Sequence, residues 1–270
     1  MDENRSNDPF NNRDHSGATE HRRKIPAINI IILIVICGLL IFGAISYFGG
    51  FFGGGGGRHG NMPQDGFTTA FNNVTRLDVS LANSGINVTT HSGNDVVVNF
   101  NPPNSGRYSR PNLDWNSNTG VLRVYQPRGG GFISFGATGG GNVTIFVPMS
   151  SAHLISEAVL TTTNGTLNIR GLSASGTIEV RTTNGRLNLD DIAAHEIIGR
   201  TTNGRIDANR LNSTRDTTLR TTNGQASLHT GDVGGHLTVR STNGAVTVTN
   251  VDFERANSDI RTTNGRVVID

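Results

Sequence analysis

Apolar and polar residues alternate in short runs through the C-terminal half of the chain, and the runs break at Asn-Gly. In residues 177–192, TIEVRTTNGRLNLDDI, Ile178 and Val180 alternate with polar neighbours before Asn184-Gly185. Leu187 and Leu189 alternate after it, followed by Ile192. A period of two puts successive side chains on opposite faces, so both runs predict β-strands with one buried face. The Asn-Gly between them is expected to supply the positive φ of a sharp turn.

The same pattern returns with the phrase Arg-Thr-Thr-Asn-Gly. Its glycines fall at Gly165, Gly185, Gly204, Gly224, Gly244 and Gly265, 19 to 21 residues apart. The position five before each glycine reads Leu160, Val180, Gly199, Leu219, Val239, Ile260. Positions two and four after it are mostly Leu, Ile, Val or Ala, as in Leu167/Ile169 and Val246/Val248. An isolated Asn-Gly between alternating runs would suggest a β-hairpin and an antiparallel sandwich. Identical roles in every copy instead predict a stack in which each strand pairs with its counterpart one repeat away. The expected fold is all-β, a parallel β-solenoid of about 20 residues per coil, one strand of each kind per coil.

Parity extends into the phrase. If Val180 points inward, Thr182 and Asn184 follow it, while Arg181 and Thr183 point out. Inward Asn164, Asn184, Asn203, Asn223, Asn243 and Asn264 would then form a structural ladder, hydrogen-bonded along the axis.

Upstream, strand patterns occupy residues 76–82, 86–90, 95–100, 120–125 and 142–148, separated by turn clusters such as Asn83-Ser84-Gly85. Residues 101–118, rich in Asn, Pro and Ser, read as a long loop, and FISF at 132–135 as a short strand between glycine runs. Residues 67–150 are therefore expected to be an irregular β cap with the first coils, and 151–270 the regular repeats.

Residues 28–48, INIIILIVICGLLIFGAISYF, are long and apolar enough for one transmembrane α-helix across a ~30 Å hydrocarbon core. Residues 1–27 read as a disordered polar tail carrying Arg22-Arg23-Lys24 near its end, and 49–66 as a glycine-rich linker. By the positive-inside rule the tail is cytoplasmic and the remainder extracytoplasmic, in a single-pass protein of the cell membrane. No strand precedes the glycines of the linker and no Gly-Lys-Ser/Thr follows, which argues against a phosphate loop. Net charge of +2 over 270 residues gives no reason to expect nucleic acid as a partner. Cys37 is the lone cysteine, so neither an intramolecular disulfide nor a cysteine metal site is available.

The chain resembles the bacterial "putative adhesin" family, β-solenoid domains of unknown function. LDVSLANSGINVTTHSGNDVVV at 77–98, NVTIFVP at 142–148 and the Thr-Asn-Gly-x-Leu-x-Ile/Leu rungs carry the resemblance, over residues 67–270. It implies a membrane-anchored surface or envelope-stress protein. The rung motif departs from the relatives, which commonly carry Ser/Thr-Gly-x-Gly or Ser-Asn-Gly-Asp.

Catalytic chemistry finds no foothold. Asp190-Asp191 is the only adjacent acid pair of the repeats, and strand neighbours face opposite sides. His195, His229 and His236 occupy different coil positions, and no serine has a His/Asp motif. We expect no enzyme, no metal site and no cofactor.

What remains is the outward row Arg181, Arg200, Arg220, Arg240 and Arg261, with Thr183, Thr202, Thr222, Thr242 and Thr263 beside it. Stacked ~4.8 Å apart, neighbouring guanidiniums repel by a little under ~1 kcal/mol in water. Glu179 and Asp259, two residues before their arginines, offset part of this. One reading is a surface of ordinary ion pairs. The other is a stripe that grips an anionic cell-wall polymer or surface glycan, since guanidinium forks suit phosphate and carboxylate. Arginine breaks the flat threonine plane that an ice-binding face would need.

The expected function is a membrane-anchored binding or adhesion module at the envelope. The alternative is a scaffold or envelope-stress sensor that self-associates through its last, uncapped rung, RVVID.

Overall fold

The computed structural model of the chain describes residues 66–103, 109–126, 140–149, 155–253 and 258–270. The expected tail, transmembrane span and all but the last residue of the linker lie outside the described residues, as does the 132–135 strand. Among the described residues, no helix is long and apolar enough to cross a membrane.

The first part contributes β1 (Phe67–Phe71), β2 (Arg76–Leu81), β3 (Gly85–His91), β4 (Val96–Asn101), β5 (Asn112–Asn116), β6 (Val121–Tyr125) and β7 (Asn142–Pro148). The repeats contribute strands in pairs: β8 (Glu157–Thr162) with β9 (Leu167–Arg170), and β10 (Thr177–Thr182) with β11 (Leu187–Ala194). Next come β12 (Glu196–Arg200) with β13 (Ile206–Ser213), and β14 (Thr217–Arg220) with β15 (Ala226–Val233). The last are β16 (Leu237–Ser241) with β17 (Val246–Phe253), and β18 (Asp259–Thr262) with β19 (Val267–Ile269).

These strands build two parallel-stacked sheets, so the chain is a β-solenoid. One sheet runs β1-β4-β7-β3-β9-β11-β13-β15-β17-β19 and the other β18-β16-β14-β12-β10-β8-β2-β6-β5. The register matches equivalent letters one coil apart: Leu167, Leu187, Ile206, Ala226, Val246 and Val267 lie in one column. Leu160, Val180, Gly199, Leu219, Val239 and Ile260 lie in the facing one. Both columns point between the sheets, and Leu187, Ile206, Leu219 and Val239 have no exposed surface. Burying each such aliphatic side chain contributes about 1.5–3 kcal/mol of transfer free energy.

The order at the start of the solenoid is not sequential. β2 and β3 lie between two coils that follow them in sequence: β6 and β7 on one side, β8 and β9 on the other. Beyond β6 and β7 the sheets end in antiparallel strands, β4 and β1 in one and β5 in the other. Phe71 of β1 meets Trp115 of β5 edge-on at 6.0 Å, which joins the two sheet margins with aromatic surface. Residues 112–116 are thus a strand, not the interior of a long loop. Only Leu113 and Trp115 alternate there, too short a run to stand out among Asn and Pro.

A second corner lies inside the longer strands. Gly171, Asp191, Arg210, Thr230 and Asn250 adopt positive φ, between 51° and 69°, at the same place in successive coils. The residue in this conformation is skipped by the strand pairing, as Asp191 is between Asp190 and Ile192. It absorbs the odd spacing between Leu189 and Ile192, both of which are buried. The Asp190-Asp191 pair is therefore split across a corner. Asp190 binds Arg170 at 3.1 Å and Arg210 at 2.6 Å.

Candidate functional site

The Thr-Asn-Gly corner differs from expectation in two respects, both with a physical cause. Its glycines do not have positive φ; of the described glycines only Gly120 and Gly171 do. They are required because the corners press on one another. A β-carbon on Gly185, Gly204, Gly224, Gly244 or Gly265 would overlap the carbonyl oxygen of the glycine one coil before it. The second correction concerns Asn184 and its equivalents. The strand ends at Thr182, so parity stops there, and Asn184, Asn203, Asn223, Asn243 and Asn264 are exposed.

The asparagines nevertheless form a continuous chain of amide bonds down the outside of the corner. Asn184 Nδ2 donates to Asn164 Oδ1 at 2.6 Å, and Asn203, Asn223, Asn243 and Asn264 each donate to the preceding rung at 2.7 Å. Asn164 in turn donates to Asn83 at 2.5 Å, which extends the ladder into the first part of the chain. The inward column is threonine and serine. Thr182, Thr201, Thr221 and Ser241 are buried and bond the glycine of the coil before.

With this corner rigid, its two flanks enclose a groove of about 890 Å³ that runs along the axis. Its lining includes Arg181, Arg200, Arg220, Arg240 and Arg261, and with them Thr183, Thr202, Thr222, Thr242 and Thr263. The arginines are register partners across β10, β12, β14, β16 and β18, preceded by Thr161 of β8. These five threonines are exposed.

The arginines are not equivalent. Arg181 pairs with Glu179 of its own strand. Asp259 holds both Arg240 and Arg261, the latter at 3.3 Å. Arg200 and Arg220 have no ion pair among the described residues. The Nε atoms of Arg200 and Arg240 are buried without a hydrogen-bond partner among the described residues, an arrangement that costs ~1–3 kcal/mol or more per group. Desolvation, then the charges of Arg261 and Arg220, lowers the Arg240 pKa below the ordinary arginine value.

The pattern behind this unevenness is readable one column over. Glu179, Ile198, Thr218, Thr238 and Asp259 are successive register partners, so acids stand only at its ends. The spacing of two residues assigns Glu179 to Arg181 and Asp259 to Arg261; the pairing of Asp259 with Arg240 of the preceding coil has no such local signal.

On the outer face of the other sheet, Asn168, Asn188 and Asn87 form a second amide ladder, at 2.8 Å and 2.6 Å. A smaller cleft of about 270 Å³ there includes Arg170, Asp190, Asn209 and His229. Asp190 is already bonded by Arg170, Arg210 and Asn209. Among the described residues, no three His, Cys, Asp or Glu side chains converge to hold a metal ion.

Residues 74–270 match the family described as Toastrack DUF4097. The chain belongs to that family. Two solved structures resemble this Toastrack chain. One is a "putative cell adhesion protein" from Clostridium sporogenes ATCC 15579, with 12% identity over 76% of this chain and 98% of that one, at a TM-score of 0.32. The other is a "putative adhesin" from Bacteroides fragilis NCTC 9343, with 14% identity over 77% and 97%, at a TM-score of 0.36. No curated protein matches the Toastrack chain.

Proposed function

We propose that this Toastrack chain is a membrane-anchored, extracytoplasmic binding or adhesion module that holds an anionic polymer of the bacterial cell envelope, without catalysis. The observation that carries the reading is the groove, lined together by five arginines at one coil position and five exposed threonines. A repeating cation row with hydroxyl groups in the same groove suits an extended chain bearing regular acidic groups. Arginine forks supply charge-assisted bonds, and threonine hydroxyls donate or accept to sugar or ester oxygens. Repeats fixed by core packing and amide ladders hold these groups in place before the ligand arrives, which lowers the ordering cost of binding.

The proposed location draws on the apolar stretch 28–48 and on Arg22-Arg23-Lys24 before it. The deciding experiment is co-sedimentation of the full chain, kept in detergent, with isolated cell-wall polymer at low salt. The wild type should bind in a salt-sensitive manner. A triple variant, Arg200→Gln, Arg220→Gln and Arg240→Gln, should lose that binding; unchanged binding would end the proposal. Protease shaving of intact cells tests the location, because a protected solenoid would be cytosolic.

A second reading, end-to-end self-association as a scaffold or envelope-stress sensor element, draws on β18 and β19. They are the outermost strands of their sheets, with Val267 and Ile269 exposed by 40% and 46%. Analytical ultracentrifugation at high concentration decides it, and a strictly monomeric chain excludes it.

A further inference from the structure

The arginine column has a centre that differs from its ends. Glu179 occupies Arg181, and Asp259 occupies Arg240 and Arg261. Between them, the positions two residues before Arg200 and Arg220 are Ile198 and Thr218, which carry no charge. Arg200 and Arg220 have no ion pair among the described residues, and the Arg200 Nε is also buried without a hydrogen-bond partner there. The two are register partners in β12 and β14, so their backbones lie one strand spacing, ~4.8 Å, apart. Thr202 and Thr222 line the same groove and are exposed.

We propose that this two-rung segment is a phosphate seat, the place where the envelope polymer is gripped, while Glu179 and Asp259 act as stops that limit the grip to two coils. The inference depends on the groove reading above and names its ligand chemistry. Two unneutralised guanidiniums present two positive charges and up to ten N–H donors across one strand spacing. A carboxylate keeps its acceptor sites in one plane and carries a single negative charge. A tetrahedral phosphate directs its oxygens several ways, so it can take one guanidinium on each side and still accept from Thr202 or Thr222. Swinging the Arg200 guanidinium onto such a group would also give its Nε an acceptor, which it lacks among the described residues. Arg181, Arg240 and Arg261 are held by acids, so a longer polymer gains little by reaching them.

The test is calorimetric titration of the full chain at low salt with glycerol phosphate, with glycerol-phosphate diester oligomers of increasing length, and with a carboxylate polymer, polygalacturonate. Affinity for the diesters should plateau once an oligomer spans two rungs. Arg200→Gln and Arg220→Gln should each weaken binding about tenfold or more. Arg181→Gln and Arg261→Gln should change it less than about twofold. Arg220→Lys, which keeps the charge and loses the fork, should fall between. Thermal melts of each variant separate lost binding from lost folding. The double variant Glu179→Gln, Asp259→Asn should make affinity rise with length where the wild type does not. Tighter binding of the monoester would place a terminal phosphate in the seat, and tighter binding of the diester a backbone phosphate; either outcome supports it. Equal losses at all four substituted arginines, or polygalacturonate bound as tightly as phosphate, would overturn the seat and leave the groove reading standing. No binding of any anion by the wild type would remove both.

Discussion

The hydroxyl of Thr201 donates to the carbonyl oxygen of Gly185 one coil away, at 3.2 Å, from a fully interior position. The Thr201 hydroxyl oxygen in turn accepts from the backbone N–H of Gly204, at 3.1 Å, within its own corner. One side-chain atom therefore satisfies a donor and an acceptor that belong to two adjacent coils. Only a hydroxyl can do both, which explains why this column is threonine or serine throughout, Ser241 included.

Thr201→Val keeps the shape and removes the bridge. It strands a buried N–H and a buried C=O, so it should lower unfolding free energy by about 1–3 kcal/mol. Thr201→Ser should cost less than about 1 kcal/mol, since Ser241 serves the same role naturally. Chemical denaturation of the three proteins side by side gives the comparison, and equal stability of Val and Thr would contradict the bridge.

Two glycines five residues apart should respond in opposite ways. A β-carbon on Gly204 would overlap the backbone carbonyl of Gly185, and a neighbouring main chain cannot give way without separating the coils. Gly204→Ala should therefore cost about 3 kcal/mol or more. At Gly199 the nearest atoms are the methyl ends of Leu219, Leu189 and Leu187, at 2.9, 3.4 and 3.7 Å. Those can shift, and the strand gains from losing a glycine. Gly199→Ala should stay within about 1 kcal/mol of wild type, measured by the same denaturation midpoints.

The contrast also shows what was legible in the chain beforehand. The column containing Gly199 and the fact of parallel stacking follow from spacing alone, because buried aliphatics recur at one phase of every repeat. The role of Gly204 does not follow, since Asn-Gly normally signals positive φ. Here the constraint is close approach between coils, a property of the assembled stack. Asn184 escapes strand parity for a related reason: it lies two residues past the end of its strand at Thr182. The arginine row could be found from its period. Its division into held and free members depends on which acid each guanidinium meets across rungs, as Arg240 of β16 meets Asp259 of β18. The return of β8 to the far side of β2 is a long-range pairing with no local signature.

The outer asparagine ladder should matter less than its regularity suggests. Each link is exposed, so water competes for the same donors and acceptors. Asn223→Ala breaks the links to Asn203 and Asn243, and should cost no more than about 0.5–1.5 kcal/mol in total. A larger loss, read from the thermal midpoint, would mean that the amides cooperate along the column beyond their pairwise values.

Asp259 offers the sharpest electrostatic test. It is the single partner of Arg240 and Arg261 among the described ion pairs. Desolvation and the charges of Arg261 and Arg220 already oppose the charged form of Arg240. Because its pKa is lowered in the fold, that penalty is present across the neutral range and lifts only as pH rises into the arginine range. pH therefore says little about it near neutrality, and salt is the informative variable. Asp259→Asn should destabilise the terminal coils by about 1 kcal/mol, the upper end for a partly exposed pair. Added salt should restore part of the loss by screening the arginines from one another. Arg240→Gln combined with Asp259→Asn should be more stable than Asp259→Asn alone, because the uncompensated cation is gone. If the double variant is the weaker of the two, the repulsion along the arginine column is not what Asp259 relieves.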